Sequence, residues 1–467
     1  YGLKLNFDTI RTELKSARRT GGRFVIEGSW AIKNLLLNHA RIANNDIILP
    51  SGSIDAKMLV GENYVAIDSS SVIHLKNIKA NPYLKYTLSP NKIVEMKLHT
   101  DELEAQALFD SFPVGLFESL EGMKVQGKVQ YDFNFYLDTS LPDSVKFYSG
   151  LNQKGFKVLK WGKTNLEKIN RPFVYTPYEY GKPMRNITIG PSNPNYTPIN
   201  QISPYLRNAV LTAEDPSFYS HNGFVLESFR KSIATNYKEK AFKRGGSTIS
   251  MQLVKNVYLN RQKTLARKIE EILIVWVMEN TRTTPKQRMF EVYLNLIEWG
   301  KNIYGIGEAA RFYFGKHPSE LNLGESIYLA SIVPRPKSSL YFFEPDGFLR
   351  TSLRGYFRLI GGIMARRGLA QPDSNIYGFY AVRIKESLRR EPTPVDSAEL
   401  DSLILDEDID AEHGGFLRSI FGRRRDSTQT QESARPQTPA QVDTTKTPAQ
   451  IRKEKRERRR ERRRDGY

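Results

Sequence analysis

Residues 123–137, MKVQGKVQYDFNFYL, constrain the fold more tightly than any other stretch of this chain. Met123, Val125, Val129, Tyr131, Phe133, Phe135 and Leu137 fall on one face of an extended backbone, and Gln126, Lys128, Gln130, Asp132 and Asn134 fall on the other. At ~3.3 Å per residue such a strand runs for roughly 50 Å, long for a globular domain. Shorter strand patterns lie at 64–75 and 92–100, and a helix is expected over 101–120 with a break near Pro113. Residues 1–165 therefore read as β-rich. The plain reading is a scaffold sheet with one face buried; the sharper one is an elongated sheet whose apolar face handles lipid.

The period changes further along. Residues 166–200 are dominated by Pro, Asn, Tyr and Gly and predict an extended linker. From about 201 to 390 the pattern is helical. Over 396–467 the chain is polar, acidic and then basic, which predicts a disordered tail. A length of 467 residues suggests two or three domains. The absence of cysteine excludes a disulfide framework, a Cys-type zinc site and a thiol nucleophile. No run approaches ~18 consecutive apolar residues, and the first residue is Tyr1 with no leader pattern after it, so any signal or anchor is expected upstream.

The formal charge is +19. The run RKEKRERRRERRR (452–464) is the obvious source, but residues 396–467 hold 16 basic and 15 acidic residues, so about +18 sits on 1–395. A basic folded body implies an anionic partner: a nucleic acid, an acidic membrane surface or a phosphate-bearing substrate.

Chemistry concentrates in three segments. In AVLTAEDPSFYSHNGF (209–224), Asp215-Pro216 starts a new turn with Asp as its cap, which leaves Glu214 at the C-terminal end of the preceding helix. The helix dipole there disfavours negative charge and should raise the pKa of Glu214, as suits a general base. His221 reads as a structural hydrogen-bonding group in a turn, with no metal partners at ligand spacing. In KRGGSTISMQLVKNVYL (243–259), Ser247 or Thr248 caps a helix on which Gln252, Lys255 and Asn256 share a face, and the Gly-Gly-Ser-Thr turn with that lysine could hold phosphate oxygens. In ARKIEEILIVWVMEN (266–280), Arg267 and Glu271 are four apart and share a face.

The order and spacing of these segments, followed by YLN…G and closing with YGIGEAARFYFGK and LGESIYLASIVPRP, resemble the family-51 glycosyltransferases over about 201–345. These are the peptidoglycan transglycosylase domains of penicillin-binding proteins and of monofunctional polymerases. The segments GRFVIEG and GKVQYDFNFYL…GFKVLKWG are loosely similar to AsmA-like envelope β-domains. The fold class expected is thus multidomain α+β: a β-rich domain (1–165), a linker (166–200), a mostly α, lysozyme-like glycosyltransferase domain (201–395) and the tail.

The resemblance implies polymerisation of lipid II, with the growing glycan as donor and the GlcNAc 4-hydroxyl of the incoming lipid II as acceptor, configuration inverting from α to β. By motif position Glu214 is the base, and Glu271 is a second essential acid near the donor pyrophosphate. Lys255, Arg267 and Lys268 contact the pyrophosphate, with Ser247 and Gln252 as hydrogen-bonding neighbours, while Asp215 and Asn256 shape the site. No cofactor is obligatory; a divalent cation, Mg or Mn, is the candidate ion beside Glu271. The leaving group is a weak base, so it calls for cations more than a proton donor. The implied partners are lipid II, the glycan chain, the membrane surface and other cell-wall synthesis proteins, on the periplasmic side of the inner membrane. The family's first Gln is replaced by Met251, which predicts an altered contact. Residues 346–395 lack Ser-x-x-Lys and Lys-Thr-Gly, so no transpeptidase is expected. The rivals are a hydrolase of the same fold, which the cation cluster disfavours, and a catalytically silent scaffold that binds lipid II or envelope partners. Nucleic-acid binding by the tail rests on charge alone.

Overall fold

The computed structural model describes residues 2–179, 181–241, 243–260 and 264–389. The tail expected at 396–467 lies outside the described residues.

An antiparallel sheet occupies the N-terminal third. Its strands are β1 (Lys4–Asn6), β2 (Thr9–Thr20), β3 (Arg23–His39), β4 (Ala43–Val60), β5 (Tyr64–Ile67), β6 (Val72–Leu75), β7 (Ile78–Thr87), β8 (Ile93–His99), β9 (Leu103–Glu104), β10 (Lys124–Asp138) and β11 (Lys146–Lys160). The order across the sheet is β1-β3-β4-β5-β7-β8-β10-β11, with β2 on β3, β6 between β4 and β7, and β9 on β10. The period-two stretch is β10, which buries Val125, Val129 and Leu137. Its ladder with β11 shifts between Gln126 and Lys128, around Gly127 at φ +96°. A Cβ there would lie 2.5 Å from the Gly155 carbonyl oxygen, so only glycine fits the bulge. The 64–75 pattern divides into β5 and β6. The helix expected over 101–120 is shorter, α1 (Ala105–Ser111), followed past Pro113 by a 3₁₀ turn at Glu118–Leu120.

Helices follow: α2 (Pro204–Glu214), α3 (Leu226–Glu239), α4 (Ile249–Tyr258), α5 (Leu265–Asn280), α6 (Lys286–Leu296), α7 (Ile306–Phe314), α8 (Leu323–Ile332) and α9 (Arg354–Arg366). Among the described residues, no helix is long and apolar enough to cross a membrane. The stretch 166–200 carries a short antiparallel pair, Phe173–Tyr175 with Ile187–Ile189, and buries Leu166, Ile169 and Ile189 in the same core as the helices.

That core also runs into the sheet. Phe156 of β11 packs edge-on against Trp276 of α5 at 4.8 Å, and the Trp276 indole N–H donates to the Leu151 carbonyl at 2.7 Å. At the start of α5, the N–H groups of Leu265 and Ala266 donate to the carbonyls of Arg41 and Ile42 in the β3–β4 turn, at 3.0 and 2.9 Å. These are donors that a helix N-terminus cannot satisfy internally. The Ser119 N–H donates to Glu270 at 2.6 Å. Helix α5 is thus gripped by the sheet domain at residues 265, 266, 270 and 276.

Candidate active site

Helix α2 ends on Glu214, where the Asp215 N–H closes on the Leu211 carbonyl at 3.0 Å. Asp215 then leaves the helical region, at φ −156° and ψ 78°, and the break sends the two adjacent carboxylates apart. Asp215 turns inward and is 3% exposed. Its carboxylate accepts from His221 Nε2 at 2.9 Å and from the Ile249 N–H at 3.1 Å. Asp215 therefore caps α4, 34 positions away, rather than its own turn; residues 216–220 form turns and do not continue into a helix. His221 Nδ1 accepts from the Gly223 N–H at 2.9 Å, which leaves the proton on Nε2 for Asp215. Gly223 itself sits at φ +88°, where a Cβ would lie 2.4 Å from Val275 Cγ1.

Glu214 keeps some surface towards a cleft that it lines with Gln252, Lys255 and Asn256 of α4. Tyr175 and Glu298 line the same cleft, and neither carries a signal in the sequence. Gln252 Nε2 donates to Glu214 at 2.8 Å, and Gln252 Oε1 accepts from the Tyr293 hydroxyl at 3.0 Å. Tyr293 thus fixes which end of the amide meets the carboxylate; from its spacing alone it reads as an apolar helix position. Burial pushes the Glu214 carboxyl above the ordinary carboxylate range, the Asp215 charge adds to this, and the Gln252 hydrogen bond opposes both. The helix-end position was the expected cause; burial is the largest of the three that act on the group here.

The second cluster joins α5 to the turn before α4. Thr248 takes the cap, accepting from the Met251 N–H at 3.3 Å and donating to the Gly223 carbonyl at 2.6 Å. Ser247 is left to accept from Lys268 Nζ at 3.3 Å. Lys268 also donates to one oxygen of Glu271 at 2.5 Å, and Arg267 donates to the other at 3.2 Å. Glu271 is 1% exposed and lies beneath both cations. Burial lowers the pKa of Lys268, Glu271 opposes that, and the charges of Arg267 and Lys255 lower it further. The Lys255 charge is thus among those felt by Lys268, while Lys255 itself lines the cleft with Glu214. Arg267 Nε is buried and finds no partner among the described residues.

Each Glu271 oxygen accepts from a cation, so a divalent cation there would share the carboxylate with Arg267 and Lys268. Among the described residues, no three His, Asp or Glu side chains are grouped to hold a metal ion. Met251 is fully buried in the core, so the departure from the family pattern points away from the cleft. A buried layer below holds α4 to α5: Ser250 donates to Glu279 at 2.6 Å, and Lys286 donates to the same oxygen at 2.6 Å.

Residues 180–351 match the family model described as transglycosylase. The chain is 41% identical over 150 residues to a biosynthetic peptidoglycan transglycosylase of Methylobacillus flagellatus, covering 32% of this chain and 65% of that protein. It is 42% identical over 142 residues to the protein of that name from Dechloromonas aromatica (30% and 61%). The corresponding protein of Cupriavidus pinatubonensis is 37% identical over 172 residues (37% and 66%). The chain thus spans a little under two thirds of the length of the curated relatives it matches.

Proposed function

From a domain at 180–351 that belongs to the transglycosylase family, we propose that this protein polymerises lipid II into peptidoglycan glycan strands at the cell envelope, through a lysozyme-like domain. The observation that carries the reading is the asymmetry of the cleft. One carboxylate with a raised pKa lines the cleft beside Lys255, and Ser247, just before the same helix, meets Lys268, which together with Arg267 is held by a buried acid.

Glu214 removes the proton of the acceptor 4-hydroxyl as its oxygen attacks the donor anomeric carbon. Burial raises its pKa, the direction that suits a general base, and Gln252, oriented by Tyr293, holds the carboxylate in place. As the donor C1–O bond breaks, the electron pair leaves with the pyrophosphate. Lys255, Arg267 and Lys268 stabilise that charge, with the Ser247 hydroxyl beside them. Attack from the face opposite the leaving group inverts the configuration. Glu271 keeps Arg267 and Lys268 aimed. A hydrolase would need a protonated acid beside the leaving oxygen instead of three cations. Asp215 is committed to His221 and Ile249, and so is a brace.

The test is incubation of the purified protein with labelled lipid II. Long glycan chains from the wild type, and none from Glu214→Gln, are expected. Binding of lipid II without polymer by the wild type would refute the enzyme reading in favour of a scaffold. Polymer made equally well by Glu214→Gln would remove Glu214 from the base role, and unchanged donor turnover in Lys255→Ala would remove Lys255 from the pyrophosphate site.

A further inference from the structure

The N-terminal sheet carries an apolar row that begins one side chain from the donor cluster. Phe147 of β11 lies opposite Phe135 of β10, which lies opposite Met96 of β8. The register continues through Leu84 of β7, Ile67 of β5, Met58 of β4 and Ile26 of β3 to Ala17 of β2. Seven steps at ~4.8 Å make the row ~34 Å long. A second row runs alongside it through Leu137, Val94, Tyr86, Val65, Val60 and Phe24. The opposite face carries the ion pairs Lys57–Glu27, Lys15–Asp55 and Lys85–Glu95 around a small buried cluster of Val25, Leu59 and Ala66.

Among the described residues, α3 roofs the β10–β11 end of these rows. There α3 sets Phe229, Ile233 and Tyr237, each half-buried, against Phe135, Leu137 and Phe147. Past that roof the rows open: Leu84 is 40% exposed, Val65 41% and Phe24 54%. Soluble surfaces rarely leave so long an apolar patch uncovered. Helix α3 also joins the face to the donor site. The Phe229 ring stacks on Phe147 at 5.8 Å, while the Phe229 Cα lies 3.3 Å from where a Cβ on Gly246 would stand. The next residue is Ser247, which meets Lys268.

We propose that this face seats the hydrocarbon tail of the lipid-linked substrate, with the sheet as floor and the apolar stripe of α3 as wall. The proposal rests on the polymerase reading above. A pyrophosphate held by Ser247, Lys255, Arg267 and Lys268 must send its prenyl chain somewhere, and α3, which abuts Gly246 beside Ser247, leads to the rows that open past it. The rows contain no charged side chain between Phe147 and Ile26. The backbone groups of their inner strands are already paired across the ladder, so an extended peptide has nothing to add to there. Hydrocarbon is what such a surface takes without leaving a polar group unpaired.

The experiment compares Leu84→Lys and Val65→Lys with wild type, on a lipid-linked substrate with a full-length prenyl tail and on the same headgroup carrying a tail of a few isoprene units. Both positions are solvent-facing, so melting temperatures should stay at the wild-type value. The expected result is a loss in kcat/KM of at least about tenfold on the long tail, because hydrocarbon seated against an ammonium would strip its water, and no change on the short one. Equal losses on both tails, or none on either, overturn the proposal. So does a variant that loses binding to anionic phospholipid vesicles but turns over the long tail normally in detergent, since the face would then belong to the bilayer. A wild type that uses neither substrate refutes the polymerase reading instead. The seat is then judged by binding of a long-chain polyprenyl phosphate in detergent, followed by the fluorescence of Trp30, which lies on the same face opposite Ile54. A signal in wild type that is lost in Leu84→Lys supports the seat, and no signal in wild type overturns it.

Discussion

Glu214→Gln should remove activity and at the same time make the protein more stable at neutral pH. The substitution keeps the side-chain shape and an oxygen that can accept from Gln252 Nε2 at 2.8 Å, and deletes only the charge. Loss of a general base costs about 10²–10⁴ in rate. The stability effect follows from the raised pKa. Below the ordinary value of 4.5 the carboxyl is neutral in both folded and unfolded chains and carries no penalty. As pH rises past 4.5 the unfolded chain ionises first, and folded stability falls until the folded group ionises as well. Above that point the penalty is constant, and every pH unit by which folding raises the ionisation is worth about 1.4 kcal/mol. Glutamine never ionises, so the variant's advantage is absent near pH 4 and present at pH 7.5, at about 1 °C of melting temperature per kcal/mol for a chain of this size. Polymerisation assays paired with thermal melts at the two pH values read both effects. A variant that is inactive but melts lower than wild type at pH 7.5 would show that the Glu214 charge stabilises the cleft, and the burial argument would fall.

Three further outcomes are expected. Met251→Gln restores the family's residue but sets an amide in a fully buried apolar site; it should cost about 1–3 kcal/mol in denaturant unfolding with no gain in polymer, and a gain in activity at unchanged stability would count against the inward orientation of Met251. Glu271→Ala strands Arg267 and Lys268 without their carboxylate, and a destabilisation of about 3–5 kcal/mol is expected from the loss of one partner in a buried ion cluster; a wild-type melt would contradict it. Trp276→Phe deletes the donor to the Leu151 carbonyl while keeping the ring contact with Phe156, for a cost of about 1–2 kcal/mol; calorimetry that finds no change would argue against that bond as a tie between α5 and the sheet.

Some of the site was legible because helix geometry is local. Gln252, Lys255 and Asn256 had to share a face, and Arg267 had to reach Glu271, since neighbours three and four apart meet on any α-helix. Tyr293 was not legible. Its hydroxyl matters only because α6 passes the far side of Gln252, 41 positions earlier in the chain. Asp215 was misplaced for the same reason: Asp before Pro is a good local cap, but Ile249 offered it an N–H from across the fold, beside a histidine that needed an acceptor. In the sheet, the alternation predicted the strands near 64–75, 92–100 and 123–137. Nothing periodic announced that the β3–β4 turn would supply carbonyls to the first N–H groups of α5.

The sequence by itself determined the one-sided strand, the helical second half and the order of the three polar segments, because side-chain period and motif spacing are properties of consecutive residues. Tertiary structure alone decided that Ser247 meets Lys268, that Glu214 is buried enough for its pKa to rise, and that an apolar row ~34 Å long crosses the sheet. Those are distances between elements far apart in the chain, and packing sets them.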